Sequence, residues 1–540
     1  MQAPPTKSHW GWGWDDRFPD RPTRSGWAGH VQGLLGFAAP RLDDPVPIAD
    51  VELAPARIAV PDSLAAIMSA DPATRIRHTY GRAYPDVLRG FRGDFAAAPD
   101  LVATPTAEAE VVALLDWAAD AGVAVVPYGG GTSVVGGVTI AADAAESGVV
   151  CLDMTSLDRL LEIEPLSLNA RIQAGATGPV LERQLAKHGL TLRFFPQSFE
   201  HSTLGGWIAT RAGGHFATGY THIDDLVAST RMLTPCGPME SRRLPGSGAG
   251  PSPDRLVLGS EGALGVITEA WMRVRPSPIY RAGATVEFTN WNDAVEAVRA
   301  LSQSGLQPSN CRLLDPQEAA INGVSSTGVS VLIVGFESAD HDLHPWMVRA
   351  LELTSDHHGQ CPAGPTYRES APPSTPSMDA AQSDGAQAWR EAFIAAPYLL
   401  NIGASMGLIM DTFETAVPWD RFEALHTAIT TNVQATLDSE CGAGSLSCRF
   451  THVYPDGPAP YYTFVAPGRY GHELDQWATI KQVASDTLLD FGATITHHHA
   501  VGRTHLPWAQ RQRPTLFGEV LAAAKDTLDP DGIMNPGVLI

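Results

Sequence analysis

The sequence predicts an α+β fold that is divided between two or more domains. The chain has 540 residues, which is too many for a single hydrophobic core. Short β-rich runs alternate with amphipathic helical segments from Pro99 onward, and a second series of strands and helices begins after Pro276. With 44% hydrophobic and 18% charged residues, the composition is that of a globular protein and favours a large enzyme over a small binding module.

Charge and cysteine usage exclude several classes of protein. The net charge of −22 repels nucleic-acid phosphates, and no Lys/Arg-rich run opposes it, so no nucleic-acid partner is expected. The six cysteines show no CxxC or zinc-like spacing, which argues against a disulfide framework and favours a reducing cytoplasm. We find no secretory or peroxisomal signal and no long apolar run, so a cytoplasmic protein without an integral membrane segment is predicted. Peripheral membrane contact and a homodimer stay open.

Residues 1–98 are predicted to form an N-terminal extension, because they are irregular and rich in Pro, Arg and Trp. No chemistry can be assigned to them. The first domain, predicted at 99–278, opens with a helix that starts at Pro105 and ends at Gly122. Its other predicted elements are the strands Val123–Tyr128, Val149–Met154, Ala170–Gly175 and Val266–Arg273 and the helix Gly178–His188.

A second domain is predicted at 279–487, followed by a C-terminal segment, 488–540. The predicted strands are Thr285–Phe288, Arg312–Leu314, Val331–Phe336, Ser447–Tyr454 and Tyr461–Val465, and the predicted helices are Asn292–Leu301, His344–Leu353 and Leu474–Phe491. Residues 358–388 are crowded with Pro, Ser and Gly and lack periodicity, so they are predicted to be a long loop. It is either a linker or an active-site lid.

The sequence PYGGGTSVVGG, at Pro127–Gly137, follows a predicted strand and contains five glycines. Glycines let the backbone turn tightly and present several N–H donors to a pyrophosphate, so this glycine loop is a candidate anion cradle. It lacks the helix and downstream acidic residue of a Rossmann GxGxxG motif and the lysine of a P-loop. Taken alone, the glycine loop would be interpreted as a glycine-rich hairpin turn.

Three further stretches rich in small residues follow the glycine loop: Pro196–Gly214, Ile223–Val227 and Gly259–Ala270. Small residues are needed where a flat ring and a phosphate chain lie close to the backbone. Each stretch alone could be a structural turn, but four such stretches in one sequence, counting the glycine loop, argue against coincidence. In this series the sequence resembles the FAD-binding domain of the vanillyl-alcohol-oxidase superfamily (PCMH type), which implies a two-subdomain FAD-binding fold for residues 99–278.

The resemblance extends to the alkyldihydroxyacetonephosphate synthase family. The segments that carry it are Trp10–Gly13, Glu414–Arg421, Ser447–Gly457, His497–His499 and Asp529–Leu539. A histidine triplet followed by Val-Gly and a later Trp is the most specific of these marks. The resemblance implies an FAD-dependent transferase of ether-lipid biosynthesis, acting on a small-molecule or lipid substrate. It also implies that 279–487 is an α+β substrate cap domain and that 488–540 returns to the FAD-binding domain.

The resemblance also assigns residues to FAD. They are Pro127, Tyr128, Gly129, Gly130, Gly131, Thr132, Ser133, Pro196, Gln197, Ser198, Phe199, Glu200, His201, Ser202, Ala209, Thr210, Arg211, Ala212, Glu261, Gly262, Ala263, Leu264, Gly265, Val266 and Ile267. Neither His nor Cys occurs within Pro127–Gly137, so a covalent link from that loop is excluded. We therefore expect dissociable, non-covalent FAD.

Members of the family exchange the acyl group of a dihydroxyacetone phosphate ester for a fatty alcohol through a flavin N5 adduct, with no net redox change. Such chemistry needs a base beside the ketone and a polar group that assists the leaving carboxylate. The resemblance assigns the base to Tyr461, with Tyr462 as the alternative if the register shifts by one residue. Nearby cationic histidines are expected to lower its pKa from about 10.

His497, His498 and His499 are predicted to be catalytic or to orient the substrate. In an extended segment alternate side chains point the same way, so at most two of them can face the flavin. Surface or core histidines are the second interpretation. A metal site ranks third and none is predicted, because a metal needs ligands that converge from different elements, which three consecutive residues do poorly.

One position departs from the family pattern. Leu400 stands where the family carries an active-site arginine, and leucine cannot bind phosphate or carboxylate as arginine does. Arg503, the cation nearest to the triplet in sequence, is predicted to compensate. Two alternatives to the transferase stay open: an FAD-dependent oxidase or dehydrogenase of a hydroxy acid or alcohol, and a flavin-binding protein that has lost catalysis and acts by binding a partner.

Overall fold

The computed structural model describes residues 6–36, 41–140, 147–369 and 397–540. The elements in these ranges confirm the predicted α+β class. The helices are Arg21–Leu35, Pro72–Arg77, Tyr84–Phe91, Glu108–Ala121, Gly178–Ala186, Leu204–Thr210, Asp254–Val257, Trp291–Gln303, Pro316–Ile321, His344–Ser355, the stretch 397–405, Trp419–Cys441, Glu473–Asp490, Leu506–Gln512 and Thr515–Leu528.

The N-terminal sheet consists, in spatial order, of Met68–Ser69, Leu101–Ala103, Val149–Asp153 and Ala124–Tyr128. The last three strands are parallel. The glycine loop begins at the carboxyl end of Ala124–Tyr128, which is the edge of a parallel sheet where ligands bind. The sheet therefore positions the predicted anion cradle.

The helix Glu108–Ala121 ends at Gly122, as predicted, and Gly122 adopts a left-handed φ of +63°. Its start lies three residues beyond Pro105. The carboxylate of Glu110 accepts the backbone N–H of Thr106 at 2.7 Å and of Ala107 at 3.2 Å, which caps the helix at this later point.

The central sheet is antiparallel and consists, in spatial order, of Leu160–Glu164, Asn169–Gln173, Val266–Arg273, Val227–Thr234 and Gly237–Glu240. The strand Val266–Arg273 has the predicted bounds. Its central place brings the stretch 259–265, which precedes it, beside the helix Leu204–Thr210; the backbone N–H of Glu261 bonds to the carbonyl of Ala209 at 2.9 Å. Two of the predicted flavin stretches are thereby joined.

The C-terminal sheet is antiparallel and consists, in spatial order, of Thr366–Glu369, Tyr280–Phe288, Ser330–Ser338, Asn310–Leu314, Ser445–Val453, Pro458–Pro467 and Leu408–Glu414. One face packs against the helices Trp291–Gln303, His344–Ser355, Trp419–Cys441 and Glu473–Asp490 in one apolar core. The opposite face turns toward the glycine loop. This sheet is therefore the wall that carries side chains to the flavin segments.

The helix Trp419–Cys441 and the strand Leu408–Glu414 were not predicted. The helix is rich in Thr and other β-branched residues, which lower its intrinsic propensity. Packing stabilises it instead, because Phe422, Leu425 and Ile429 recur at helical spacing and are buried against the C-terminal sheet.

The loop predicted at 358–388 needs correction over its first part. Residues Thr366–Glu369 form the edge strand of the C-terminal sheet by pairing with Tyr280–Gly283. Gln360 and Glu287 also exchange backbone hydrogen bonds. Residues 370–388 lie outside the described residues.

The N-terminal extension packs on the rest of the chain. The amide of Asn401 bonds to the backbone N–H and carbonyl of Trp12 at 2.8 and 2.9 Å. The Trp10 ring packs edge-on against Phe91 at 5.1 Å. In the part of the chain that the structure describes, we find no helix with the length and apolar character needed to cross a membrane.

Candidate active site

A cavity of about 390 Å³ lies between the flavin segments and the C-terminal sheet. Every residue of Pro127–Ser133 lines it. The other residues assigned to FAD that line it are Pro196, Gln197, Ser198, Ser202, Ala209, Thr210, Ala212, Glu261, Gly262, Gly265, Val266 and Ile267. Tyr461, His498, His499 and Leu400 line the same cavity. The fold thus brings together residues that are up to about 370 positions apart in sequence.

The remaining residues assigned to FAD lie behind this wall: Phe199, Glu200, His201, Arg211, Ala263 and Leu264. Their partners explain the positions. Glu200 accepts a hydrogen bond from the Trp14 indole at 2.9 Å, Arg211 pairs with Asp224 at 2.8 Å, and Leu264 is fully buried in the core. They support the cavity and do not line it.

The glycine loop is packed so tightly that three of its glycines, Gly129, Gly130 and Gly131, have no room for a side chain. A Cβ on Gly130 would lie 2.0 Å from the carbonyl oxygen of His201, and a Cβ on Gly129 would lie 2.3 Å from Thr203 Oγ1. Gly131 has a left-handed φ of +65°. The loop therefore keeps its shape only with these glycines.

We expect Gly130→Val to weaken FAD binding roughly tenfold or more, because overpacking of this kind costs about 1–3 kcal/mol and displaces the loop from the cavity wall. FAD retention after gel filtration and reconstitution titrations of the apoprotein measure the effect. Gly248→Val is the matched control, since a Cβ at Gly248 meets nothing within 4 Å. Equal FAD affinity of the two variants would contradict the role of Gly130.

Glu261 ties the C-terminal segment to the flavin stretches. Its carboxylate accepts the backbone N–H of Val501 at 2.8 Å and of Gly502 at 2.7 Å. Burial raises the pKa of Glu261 to about 7, and these two hydrogen bonds oppose the shift. Glu261 itself lines the cavity, so this contact places the segment that follows the histidine triplet beside the predicted flavin site.

Strand register places three functional side chains on one face of the C-terminal sheet. Tyr461 lies directly opposite Glu414 on one neighbouring strand and opposite Arg449 on the other. Directly opposed residues share a face of an antiparallel sheet. The Arg449 guanidinium lies 3.9 Å from the centre of the Tyr461 ring, and the Tyr461 hydroxyl donates to Thr412 Oγ1 at 2.9 Å. Arg449 also pairs with the buried Glu318.

Tyr462 points to the opposite face of the sheet. It is fully buried in the helix-packed core, where its ring stacks on Phe413 at 5.0 Å and its hydroxyl lies 3.1 Å from His426 Nδ1. The one-residue alternation of a strand therefore separates the two tyrosines, and Tyr461 is the one that reaches the cavity.

Glu414 holds the histidine triplet in place. Its buried carboxylate accepts the backbone N–H groups of His497, His498 and His499 at 2.6, 3.1 and 3.0 Å, and the Thr496 hydroxyl at 2.6 Å. Burial by itself raises the pKa of Glu414, but its contacts with the triplet and with the Thr496 hydroxyl lower that pKa well below its usual range. An ionised Glu414 thus acts as the anchor of the triplet.

Two of the three triplet side chains, the adjacent His498 and His499, line the cavity, so the triplet does not follow the alternation of an extended segment on which the sequence prediction rested. His498 stacks on Tyr461 with ring centres 6.0 Å apart, and the His499 ring lies edge-on to Tyr461 at 5.5 Å. Burial lowers the pKa of His498 to about 3 and that of His499 to about 4, so both rings are neutral at pH 7.

The cation beside Tyr461 is Arg449, in place of the cationic histidines that the sequence led us to expect. Burial raises the pKa of the Tyr461 hydroxyl, and the Arg449 charge opposes this shift. No local pattern marks Arg449, because it is one basic residue in a strand and its partners Tyr461 and Glu318 come from other elements.

The structure corrects the prediction for Arg503. Its guanidinium donates to the carbonyls of Gly136 and Pro536, at 2.9 and 2.5 Å, so it braces the glycine loop against the C-terminal segment. The arginines that line the cavity are Arg82, Arg312 and Arg449. Arg82 belongs to the N-terminal extension, to which the sequence assigned no chemistry.

Comparison with known proteins shows the family to which the chain belongs. Residues 99–241 match the family described as FAD binding domain, and residues 277–539 match the family described as FAD linked oxidases, C-terminal domain. Alkyldihydroxyacetonephosphate synthase from Dictyostelium discoideum is 31% identical over 480 residues, which cover 87% of this chain and 78% of the relative. The chain belongs to the alkyldihydroxyacetonephosphate synthase family. It is an FAD-dependent enzyme, and its FAD is non-covalent.

Two further comparisons concern the fold of this synthase-family chain and a relative of a different activity. A solved structure of alkyldihydroxyacetonephosphate synthase superimposes with a TM-score of 0.80 over 98% of both chains at 24% identity, which shows the same fold. A mitochondrial D-lactate dehydrogenase (cytochrome) from Arabidopsis thaliana is 28% identical over 453 residues, covering 82% of this chain and 73% of the relative. The resemblance and the fold read from the sequence are thus confirmed.

The residues present fit FAD. The cavity is walled by glycines and other small residues from the predicted flavin segments, so a flat ring and a phosphate chain can lie against backbone. At Gly129 and Gly130 the loop backbone packs closely on His201 and Thr203, which leaves no room for side chains between them. The residues that would hold FAD are the lining members of the set assigned from the sequence.

Proposed function

We propose that this chain exchanges the acyl group of a ketone ester for a fatty alcohol, with Tyr461 as the base that takes a proton from the carbon beside the ketone. Bound FAD would supply the electrophilic ring system that this exchange requires. His498 and His499 orient the substrate and assist the leaving carboxylate as hydrogen-bond donors. The single observation that carries the proposal is the meeting of Tyr461, His498 and His499 in the cavity that the flavin segments line.

Arg449 supports the role of Tyr461. A guanidinium 3.9 Å from the ring centre favours the phenolate over the neutral phenol, because opposite charges attract strongly in a buried site. Glu318 pairs with Arg449 and fixes the position of that charge. The Thr412 hydroxyl, 2.9 Å from the Tyr461 oxygen, aims the tyrosine along the cavity wall.

We also propose that the natural substrate presents a less charged group to Leu400 than the phosphate of dihydroxyacetone phosphate. Leu399, Leu400 and Met410 form an apolar part of the cavity wall. A phosphate that reached this wall would lose water without gaining a charge-assisted hydrogen bond. An uncharged or apolar group gains contact there instead.

Leu400→Arg tests this substrate proposal. We expect the variant to gain kcat/KM for acyl dihydroxyacetone phosphate by about tenfold to a hundredfold, because a hydrogen bond to a charged group contributes roughly 1.5–3 kcal/mol. Exchange of a labelled fatty alcohol into phosphorylated and unphosphorylated ketone esters measures the change.

Leu400→Gln is the matched control, since it adds polarity at similar size without a charge. It should leave the preference for the unphosphorylated ester largely unchanged. Efficient exchange of the phosphorylated ester by the wild-type enzyme would show that Leu400 does not alter the substrate.

Net oxidation of a hydroxy acid is the second candidate function. The D-lactate dehydrogenase relative favours it, as does Arg312, a buried arginine on the cavity wall that suits a carboxylate. Anaerobic mixing with 2-hydroxy acids separates the two functions. Bleaching of the flavin, followed by recovery with an electron acceptor, supports oxidation, whereas ester exchange without bleaching supports the transferase.

A further inference from the structure

Four imidazole rings from separate parts of the chain converge at one edge of the cavity. His452 lies on the strand Ser445–Val453, His222 precedes the turn at 223–225, and His497 and His498 belong to the triplet. His452, His497 and His498 each offer a ring nitrogen within 4.8 Å of the others. Three consecutive residues converge poorly on a metal ion, but His452 comes from a separate strand and adds a ligand from a different element.

We propose that His452, His497 and His498 bind one divalent transition-metal ion of the zinc class. Zn–N bonds are about 2.0–2.1 Å long, and three nitrogens this close reach a common ion through small side-chain rotations. Neutral imidazoles suit Zn²⁺, Co²⁺, Ni²⁺ or Cu²⁺, whereas Mg²⁺ and Ca²⁺ prefer oxygen ligands. The site goes beyond the proposed exchange reaction and does not depend on it.

Hydrogen bonds from neighbouring groups hold the rings of the cluster in position, as is usual for histidines that bind a metal. The Tyr454 hydroxyl donates to Thr221, so it accepts the Nε2 proton of His497, which lies 2.6 Å away. That leaves a lone pair on His497 Nδ1, which faces His498 Nδ1 at 3.0 Å. His222 Nε2 lies 3.2 Å from His497 Nε2 and limits rotation of that ring. Fixing the tautomer in this way raises the affinity of a histidine for a metal.

The surroundings of the cluster also suit a cation. The Glu414 carboxylate lies 3.4 Å from His498 Nδ1 and supplies a negative charge next to the three neutral ligands. His452 Nε2 donates to the carbonyl of Gly214 at 3.1 Å, so Nδ1, which lies 3.1 Å from the Thr451 hydroxyl, is the nitrogen that would bind the ion.

His452 and His498 both line the cavity. An ion held by three histidines at this place would keep a fourth coordination position for a water molecule or a substrate oxygen, and two of its ligands line the cavity. Open three-ligand sites are typical of metal ions that act on a substrate, whereas structural zinc sites are closed by four protein ligands. The ion would therefore be part of the substrate site.

The test uses full-length, FAD-loaded protein that has been stripped with a chelator and titrated with Co²⁺ alone. We expect one Co²⁺ per chain after gel filtration, d–d absorption at wavelengths beyond the flavin bands, and competition by Zn²⁺. His452→Gln should weaken Co²⁺ binding roughly tenfold or more. His188→Gln, at the exposed end of the helix Gly178–Ala186, is the matched control and should bind as the wild type does.

X-ray absorption of the Zn²⁺-loaded wild type needs no variant and should show three imidazole ligands. His222→Asn, at a partly exposed ring, should weaken binding less than His452→Gln does, and FAD content reports whether each variant is folded. The proposal is overturned if the wild type retains no Co²⁺, if the metal has fewer than two imidazole ligands, or if folded His452→Gln binds like His188→Gln. None of these measurements depends on the catalytic activity of the enzyme.

Discussion

Tyr461→Phe is expected to lower turnover by about a hundredfold or more while FAD stays bound. General acid–base catalysis typically contributes about 10²–10⁴-fold, and the substitution removes the proposed base while leaving the ring on Arg449 in place. The lost hydrogen bond to Thr412 should cost only about 1 kcal/mol of stability. Exchange kinetics, FAD content and urea unfolding measured on one preparation separate chemistry from folding.

Tyr462→Phe is the matched control, because the two tyrosines are neighbours in one strand and face opposite sides of the sheet. It removes a hydroxyl that contacts His426 in the apolar core, so we expect near-normal turnover and a comparable loss of stability. Near-normal turnover of Tyr461→Phe would show that the base lies elsewhere, with His498 and His499 the next residues to substitute.

Glu414→Gln is expected to destabilise the protein by about 3 kcal/mol or more and to lower turnover on the order of a hundredfold. The carboxylate accepts the backbone N–H groups of His497, His498 and His499, whereas an amide can accept on one oxygen only. Each buried donor left without a partner costs about 1–3 kcal/mol. The triplet would then shift, and a displacement of about 1 Å can lower a rate by two orders of magnitude.

Glu423→Gln is the matched control for this experiment, because Glu423 is exposed on the helix Trp419–Cys441. It should change neither the unfolding midpoint in urea nor the turnover. If Glu414→Gln behaves like Glu423→Gln in both measurements, Glu414 is not the anchor of the triplet.

The sequence by itself determined the flavin chemistry of this protein. The glycine loop Pro127–Gly137 and the histidine triplet are contiguous motifs, so their residues need no long-range contact to be found. Strand and helix periodicity likewise predicted most elements, with bounds that moved by a few residues where a cap such as Glu110 intervened. Local chemistry decides features of this kind.

Tertiary structure alone decided which side chains act together. Glu414 reaches the triplet across more than 80 residues, and His452 joins it from a strand, because sheet register and packing bring distant segments side by side. Register also separates Tyr461 from Tyr462, since a shift of one residue turns a strand side chain to the other face. Arg503, close to the triplet in sequence, turns away because the carbonyls of Gly136 and Pro536 hold it elsewhere. Buried donors and charges need partners, and in the folded protein those partners come from segments that are distant in sequence. Closeness in sequence therefore does not predict which of these residues are in contact.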